Sequence, residues 1–193
     1  MRFSLAIFAT VAMSAFTSAS PVVVRDSSVM GVQAILTKLQ STLTPLVSEL
    51  ASIKSNNATS AVVGPIITEI TTAISTATNS SSALKGLPQS VVLSSATSNE
   101  VVPLATVTKL VVDILTLLIP TLAKLVVVLG PGGDLTAVLP PVGAGLSVLV
   151  ASLLAAVAGL VAQLIPALTG LLAGVSSLVT TLGLGGLIVA LGL

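Results

Sequence analysis

Apolar side chains at Val29, Val32, Leu36, Leu39, Leu43, Leu46, Leu50 and Ile53 follow one another at alternating steps of three and four. That rhythm is a heptad seam and predicts one amphipathic helix. Ser27 or Ser28 can cap its start by accepting a backbone N–H, Asn56-Asn57 tolerate the turn that ends it, and Pro45 should bend it. A weaker stripe through Val63, Ile66, Ile70, Ile74 and Ala77 predicts a second helix, with Pro65 expected in its first turn, where the missing N–H costs little. Its Thr and Ile content lowers helix propensity, so it needs a partner to pack on. Residues 75–82 and 87–99 are Ser-rich and read as a mobile connection where a break between subdomains could fall.

Beyond Glu100 the pattern resumes with Leu104, Val107, Val111, Ile114, Leu118, Leu122, Leu125 and Leu129, but Val112, Leu115, Leu117 and Val126 are apolar too. Such a helix is expected to be buried nearly all round or to meet something other than water, with a kink at Pro120. Gly130-Pro131-Gly132-Gly133-Asp134 predicts a turn, and Pro140-Pro141 another. Residues 142–165 carry no charge, and as one helix they would run roughly 36 Å at ~1.5 Å per residue, more than the ~30 Å core of a bilayer. Residues 167–182 are similarly apolar, and the chain closes on Gly and Leu. The organisation expected is a signal over 1–19, an amphipathic Ser/Thr-rich helical region over 20–99 and a hydrophobic helical region over 100–193. The fold class is all-α: amphipathic helices followed by very apolar ones, in a bundle or hairpin array.

Charge sharpens the division. Arg2, the apolar residues 5–16 and the small residues Thr17-Ser18-Ala19 fit a cleaved secretory signal. Of seven basic and six acidic side chains in the chain, Arg2 leaves with that signal, so a mature chain would carry six of each sign and no formal net charge. Electrostatic capture of nucleic acid is therefore not expected. All the remaining charges lie between Arg25 and Asp134. With no cysteine, a secreted chain of this kind must be held together by packed apolar surface alone.

Candidate chemistry is sparse. Histidine, cysteine, tryptophan and tyrosine are absent, which removes the usual general base, the thiol nucleophile and the soft metal ligands. The acids Asp26, Glu49, Glu69, Glu100, Asp113 and Asp134 are scattered singly, and the Gly130 turn lacks the Lys-Ser or Lys-Thr of a phosphate loop. No enzyme activity, cofactor or metal is expected. Asp113, four residues after Lys109 in a greasy helix, reads as a surface ion pair. Asn57-Ala58-Thr59 and Asn79-Ser80-Ser81 are acceptor sequons, making Asn57 and Asn79 candidate N-glycosylation sites in a eukaryotic host.

Three destinations compete for the apolar half: a hairpin across a bilayer, the core of a soluble bundle, or helices exposed at an apolar interface. Flanking Lys, Arg, Trp and Tyr anchors are missing after residue 142, which disfavours a span without removing a membrane from the partners. More apolar helix surface is present than the two amphipathic stripes can cover, which favours self-association or adsorption. The expected interface-active residues are Leu149, Leu153, Val157, Leu160, Leu164, Leu168, Leu171 and Leu172 within 142–182, so that Leu153→Lys and Leu171→Lys should weaken adsorption. Gly170-x-x-x-Gly174 reads as incidental. A lipid carrier would require a closed apolar cavity.

With its signal, its cysteine-free mature chain, the Ser/Thr-rich SVMGVQAILTKLQSTLTPLVSEL and the apolar half that starts at TKLVVDILTLLIPTLAKLVVVLG, the chain resembles small secreted proteins of mushroom-forming fungi. Those proteins take part in aerial hypha formation and attachment to hydrophobic surfaces. The first half is also similar to fungal hydrophobic-surface-binding proteins, from which the long Leu/Gly-rich tail departs. Hydrophobins, with their disulfide framework, do not fit a chain without cysteine. The resemblance implies a secreted structural protein of cell wall or matrix whose partners are hydrophobic surfaces, wall components and further copies of itself.

Overall fold

Helix α1 spans Val32–Ser52, α2 Ser60–Ser82, α3 Gln89–Val92, α4 Leu104–Leu129, α5 Pro140–Ala156 and α6 Gly185–Leu191. These come from a computed structural model that describes residues 30–54, 58–95, 100–129, 139–160, 162–166 and 185–191, together with Thr169. The protein is all-α. Among the described residues the only β feature is an isolated antiparallel bridge between Ser94 and Val101.

The α1 seam is buried at Val32, Leu36, Leu39, Leu43, Leu50 and Ile53. Val47 takes the place expected for Leu46, which is only half-buried, because a straight helix of 3.6 residues per turn drifts from a strict heptad. Capping differs from expectation as well: Gly31 is the N-cap, with no side-chain cap hydrogen bond, and the helix ends at Ser52. Ser27, Ser28, Val29, Asn56 and Asn57 lie outside the described residues. The end of α1 has no basic residue of its own, but Lys124 Nζ of α4 donates to the Ala51 carbonyl at 3.4 Å, placing a cation where the helix dipole is negative.

The α2 stripe is buried as expected at Val63, Ile66, Ile70, Ile74 and Ala77, joined by Ile67. Its start is earlier than expected. Val62 and Val63 donate to the Thr59 carbonyl, so the first turn is built from Ser60 onward and Pro65 falls in the second turn, with its ring exposed. The helix also runs further. Residues 75–82 are its last two turns, and the hydroxyls of Thr76, Thr78 and Ser80 donate to the carbonyls of Thr72, Ile74 and Thr76. Hydroxyls that bond their own helix no longer compete with it for backbone groups, and Ala77 and Ser81 keep this stretch on the core. Residues 89–92 of the second Ser-rich segment are helical too.

Helix α4 buries Val107, Val111, Ile114, Leu115, Leu118, Ile119, Leu122 and Leu125. It is not apolar all round. Ala105, Lys109, Thr116, Pro120, Lys124 and Val127 are exposed, with Asp113 half-buried among them, which is one continuous outward stripe at steps of three and four. Pro140 and Pro141 do not form a separate turn; they occupy the first positions of α5, where their lost N–H groups would have no partner anyway. The single helix expected over 142–165 is interrupted. α5 ends at Ala156, Val157 is extended, and Gly159 adopts a φ of 83°, a left-handed conformation that side chains resist, before helical conformation returns at Leu160 and over 162–166. The 17 residues of α5 span about 26 Å, short of a bilayer core. The Gly130–Asp134 turn and residues 170–182 lie outside the described residues.

Helices α1 and α4 pack together, as do α1 and α2, α2 and α5, and α5 and α6. Lys124 near the end of α4 reaches Ala51 near the end of α1, so those two run parallel. Gly145 abuts Ile74, and Ser152 Oγ lies 3.4 Å from Ser82 Oγ, so α2 and α5 are parallel as well. The α1–α2 hairpin thus lies on α4 and α5, and one continuous cluster of apolar side chains joins all four helices. Leu36, Val111, Ile114, Leu115, Leu146, Leu149, Val150 and Leu153 surround a central void of only about 10 Å³. That is about one water probe, leaving no room there for an acyl chain.

Candidate apolar interface

Side-chain size orients α5 more than polarity does. Val142, Leu146, Leu149, Val150 and Leu153 point inward, with Gly143 and Ser147 buried among them, whereas Pro141, Ala144, Val148, Ala151 and Ala155 are exposed at steps of three and four. Turning the large side chains inward removes the most apolar area from water and leaves the outward stripe mainly to alanine, while Ser147 is buried where Gly186 of α6 abuts it. Exposed positions continue at Ala158, Ala162 and Pro166, where only Gln163 and Thr169 are polar, and Val189 of α6 is 80% exposed.

This face has no charge. The described charged side chains belong to α1 and the residues just after it, α2, α4 and the segments around α3, and all are exposed except half-buried Asp113. The outward positions of α1 include Lys38, Ser41, Thr42, Ser48 and Glu49. The exposed stripe of α5 is therefore uncharged, with Lys85 at its margin, whereas the outward face of α1 is charged and hydroxyl-rich.

Two open grooves flank the exposed stripe. One, of about 440 Å³, lies between the end of α2, α5 and α6 and is lined by Ser82, Lys85, Ser147, Val148, Ala151, Ser152, Ala155 and Gly186. The other, of about 440 Å³, lies between α2 and the start of α5, with Thr68, Thr71, Thr72, Ser75 and Thr76 on one wall and Pro141 on the other. Hydroxyl groups edge both, joined in the first by the Lys85 ammonium, so the apolar strip is a ridge with polar margins. Thr108 Oγ1 fixes the far end of this region to α4, lying 3.2 Å from Gln163 Oε1.

The leucines expected at the interface are elsewhere. Leu149, Leu153, Val157, Leu160 and Leu164 are each 3% exposed or less, gathered in the core rather than on the surface. Leu168, Leu171 and Leu172 lie outside the described residues. The uncovered leucine surface anticipated from the excess of apolar helix is not found among the described residues, because α1 covers α4, α2 and α6 cover α5, and side chains of α4 and α5 meet around the central void. Ala144, Val148, Ala151 and Ala155 were the residues to find, and their signal was the recurrence of small side chains every three or four positions in an otherwise Leu/Val helix.

Lys109 Nζ donates to Asp113 Oδ2 at 2.6 Å, with the lysine 73% exposed. Solvent screening leaves such a pair little energy. Lys109→Ala is expected to change unfolding free energy by no more than about 0.5 kcal/mol in urea titration; a loss above about 2 kcal/mol would mean that the pair is shielded from water. Asn79 is exposed on α2, and Asn57 lies outside the described residues. Among the described residues no three acidic or other metal-ligating side chains come together. No family model, curated protein or solved structure matches the chain.

Proposed function

We propose that this protein is a secreted, non-enzymatic structural protein that adsorbs at hydrophobic interfaces through the uncharged face of α5, with the charged face turned to water. One observation carries the reading: every described charged side chain precedes residue 135, and the exposed stripe of α5 is alanine, valine and proline. Adsorption through that stripe then buries apolar area, while exposed Lys85 at the groove margin keeps its ammonium in water at the end of a flexible stem. The resemblance to secreted proteins of mushroom-forming fungi supports a setting in cell wall, aerial hyphae and attachment. Self-assembly through the same face follows from the same physics.

The test is adsorption of the purified mature chain to alkylated silica, followed by quartz-crystal microbalance. Val148→Lys and Ala151→Lys place an ammonium on the stripe without touching the core. Each should lower the binding constant about tenfold or more, since keeping a charge hydrated holds the surface away. Ser48→Lys, on the exposed side of α1, should leave adsorption unchanged. Equal adsorption by all three variants would refute the assignment of the face.

A bilayer-inserted hairpin is the second reading, and α4 favours it: residues 104–128 are long enough to cross a membrane by length and composition, and an 18-residue window within them has a mean hydropathy of 2.2. Lys109, Asp113 and Lys124 lie within that stretch and would have to be neutralised or paired there. Recovery in carbonate-washed membranes would select this reading; recovery in culture medium or wall fractions selects the interface.

A further inference from the structure

Position 81 is anomalous. It continues the buried stripe of α2 after Ile70, Ile74 and Ala77, where an apolar residue would fit, yet it is a serine. Ser81 is fully buried and its Oγ makes no hydrogen bond, whereas Thr76, Thr78 and Ser80 beside it donate to carbonyls four residues back. A buried hydroxyl with no partner disfavours the folded state. Two residues earlier, Asn79 is exposed, and Asn79-Ser80-Ser81 is an acceptor sequon.

We propose that Asn79 is N-glycosylated before α2 docks on the core, and that Ser81 is a serine because the transferase must read its hydroxyl, a group the finished fold then hides. In the transfer, Asn79 Nδ2 bonds to C1 of the first sugar of a polyprenyl-diphosphate-linked oligosaccharide. The C1–O bond breaks, the polyprenyl diphosphate leaves with the bonding pair, and Nδ2 gives up one proton. The folded protein is not a substrate, because Ser81 faces the core. Asn79 shares a side of α2 with Ser75, Thr76 and Ser82, so the glycan rises beside both grooves and hydrates the margin of the uncharged face.

The proposal rests on entry into the secretory route, so the test supplies that entry independently. The full chain carrying Asn57→Gln is translated with eukaryotic microsomes behind the signal of another secreted protein, and protease protection confirms delivery. A glycosidase-sensitive mass increment is expected, lost in Asn79→Gln and Ser81→Ala and kept in Ser81→Thr. Bacterially made, folded chain offered to solubilised transferase and lipid-linked donor should be modified at least about tenfold more slowly than the full-length Leu153→Lys chain shown by circular dichroism to be unfolded, since only locally opened molecules present Ser81. Unglycosylated Ser81→Ala should melt at the same temperature as the parent chain or higher. An unmodified, protected Asn79, equal rates for folded and unfolded chain, or a lowered melting temperature in Ser81→Ala would each overturn the proposal. Failure of the chain's own residues 1–19 to direct export would instead count against the secretion reading alone.

Discussion

Replacing Leu153 with lysine is expected to leave the protein largely unfolded at neutral pH. Leu153 is 1% exposed and faces Leu36, Val111, Ile114 and Leu115 across a void of about 10 Å³, room for about one water and not for the several that hydrate an ammonium. Nothing else lining that void is ionisable or polar, so the charge would be buried without a partner. The loss should reach at least about 3–5 kcal/mol, the usual cost of an uncompensated buried charge, set against a total of about 5–15 kcal/mol for a domain. Urea titration of far-ultraviolet circular dichroism measures it. A change below about 1 kcal/mol would place Leu153 on the surface and sink the packing of α5 described above.

This result alters what a lysine scan of the apolar half means. Reduced adsorption by Leu153→Lys reports on folding, because the residue belongs to the interior. Val148→Lys and Ala151→Lys change the outward face five and two positions away and should keep the parent's unfolding midpoint. Comparing the two kinds of variant separates adsorption by the folded face from adsorption by an opened bundle whose leucines have been released.

The parts of the fold legible in the sequence are those where polar and apolar residues alternate with a clear phase. The stripes of α1 and α2 were readable for that reason. α4 held the same information in Lys109, Asp113, Thr116, Pro120 and Lys124, an outward stripe at steps of three and four that its many neighbouring Leu and Val residues concealed. In α5 hydropathy is nearly uniform and carries no phase, so only side-chain size separates Leu149 and Leu153 from Val148 and Ala151. Residues 75–82 misled for another reason. Ser and Thr are loop formers when their hydroxyls capture local backbone groups, but in α2 they bond carbonyls already in the helix, and the core on the opposite side decides the outcome. The interruption at Val157 to Gly159 depends on a φ of 83° at one glycine among several in the segment, and nothing local distinguishes Gly159 from Gly143 or Gly145.

Gly31→Ala should be the second severe substitution, although alanine is the better helix former. Gly31 sits just before α1 with φ −65° and ψ 163°, an extended conformation open to any residue, so backbone freedom is not the reason for glycine. Proximity is. A Cβ there would stand 2.6 Å from Ser94 Oγ and closer still to the Ser94 carbonyl oxygen. The serine cannot retreat easily: Ser94 bridges Val101, Val102 N donates to Leu93 O at 2.7 Å, and Ser95 N donates to Glu100 O at 3.0 Å. This small clasp joins the entry of α1 to the approach of α4, and widening it strains both helices at once. We expect Gly31→Ala to cost about 1–3 kcal/mol in unfolding free energy, as overpacking of a tight site does. Adding Ser94→Ala removes the hydroxyl, which has no hydrogen-bond partner, but leaves the carbonyl oxygen in place. The double variant should therefore recover less than half of the loss. Full recovery would show that the side chain of Ser94, rather than its backbone, sets the spacing, and a neutral Gly31→Ala would mean that α1 and the Ser94 bridge are not in contact.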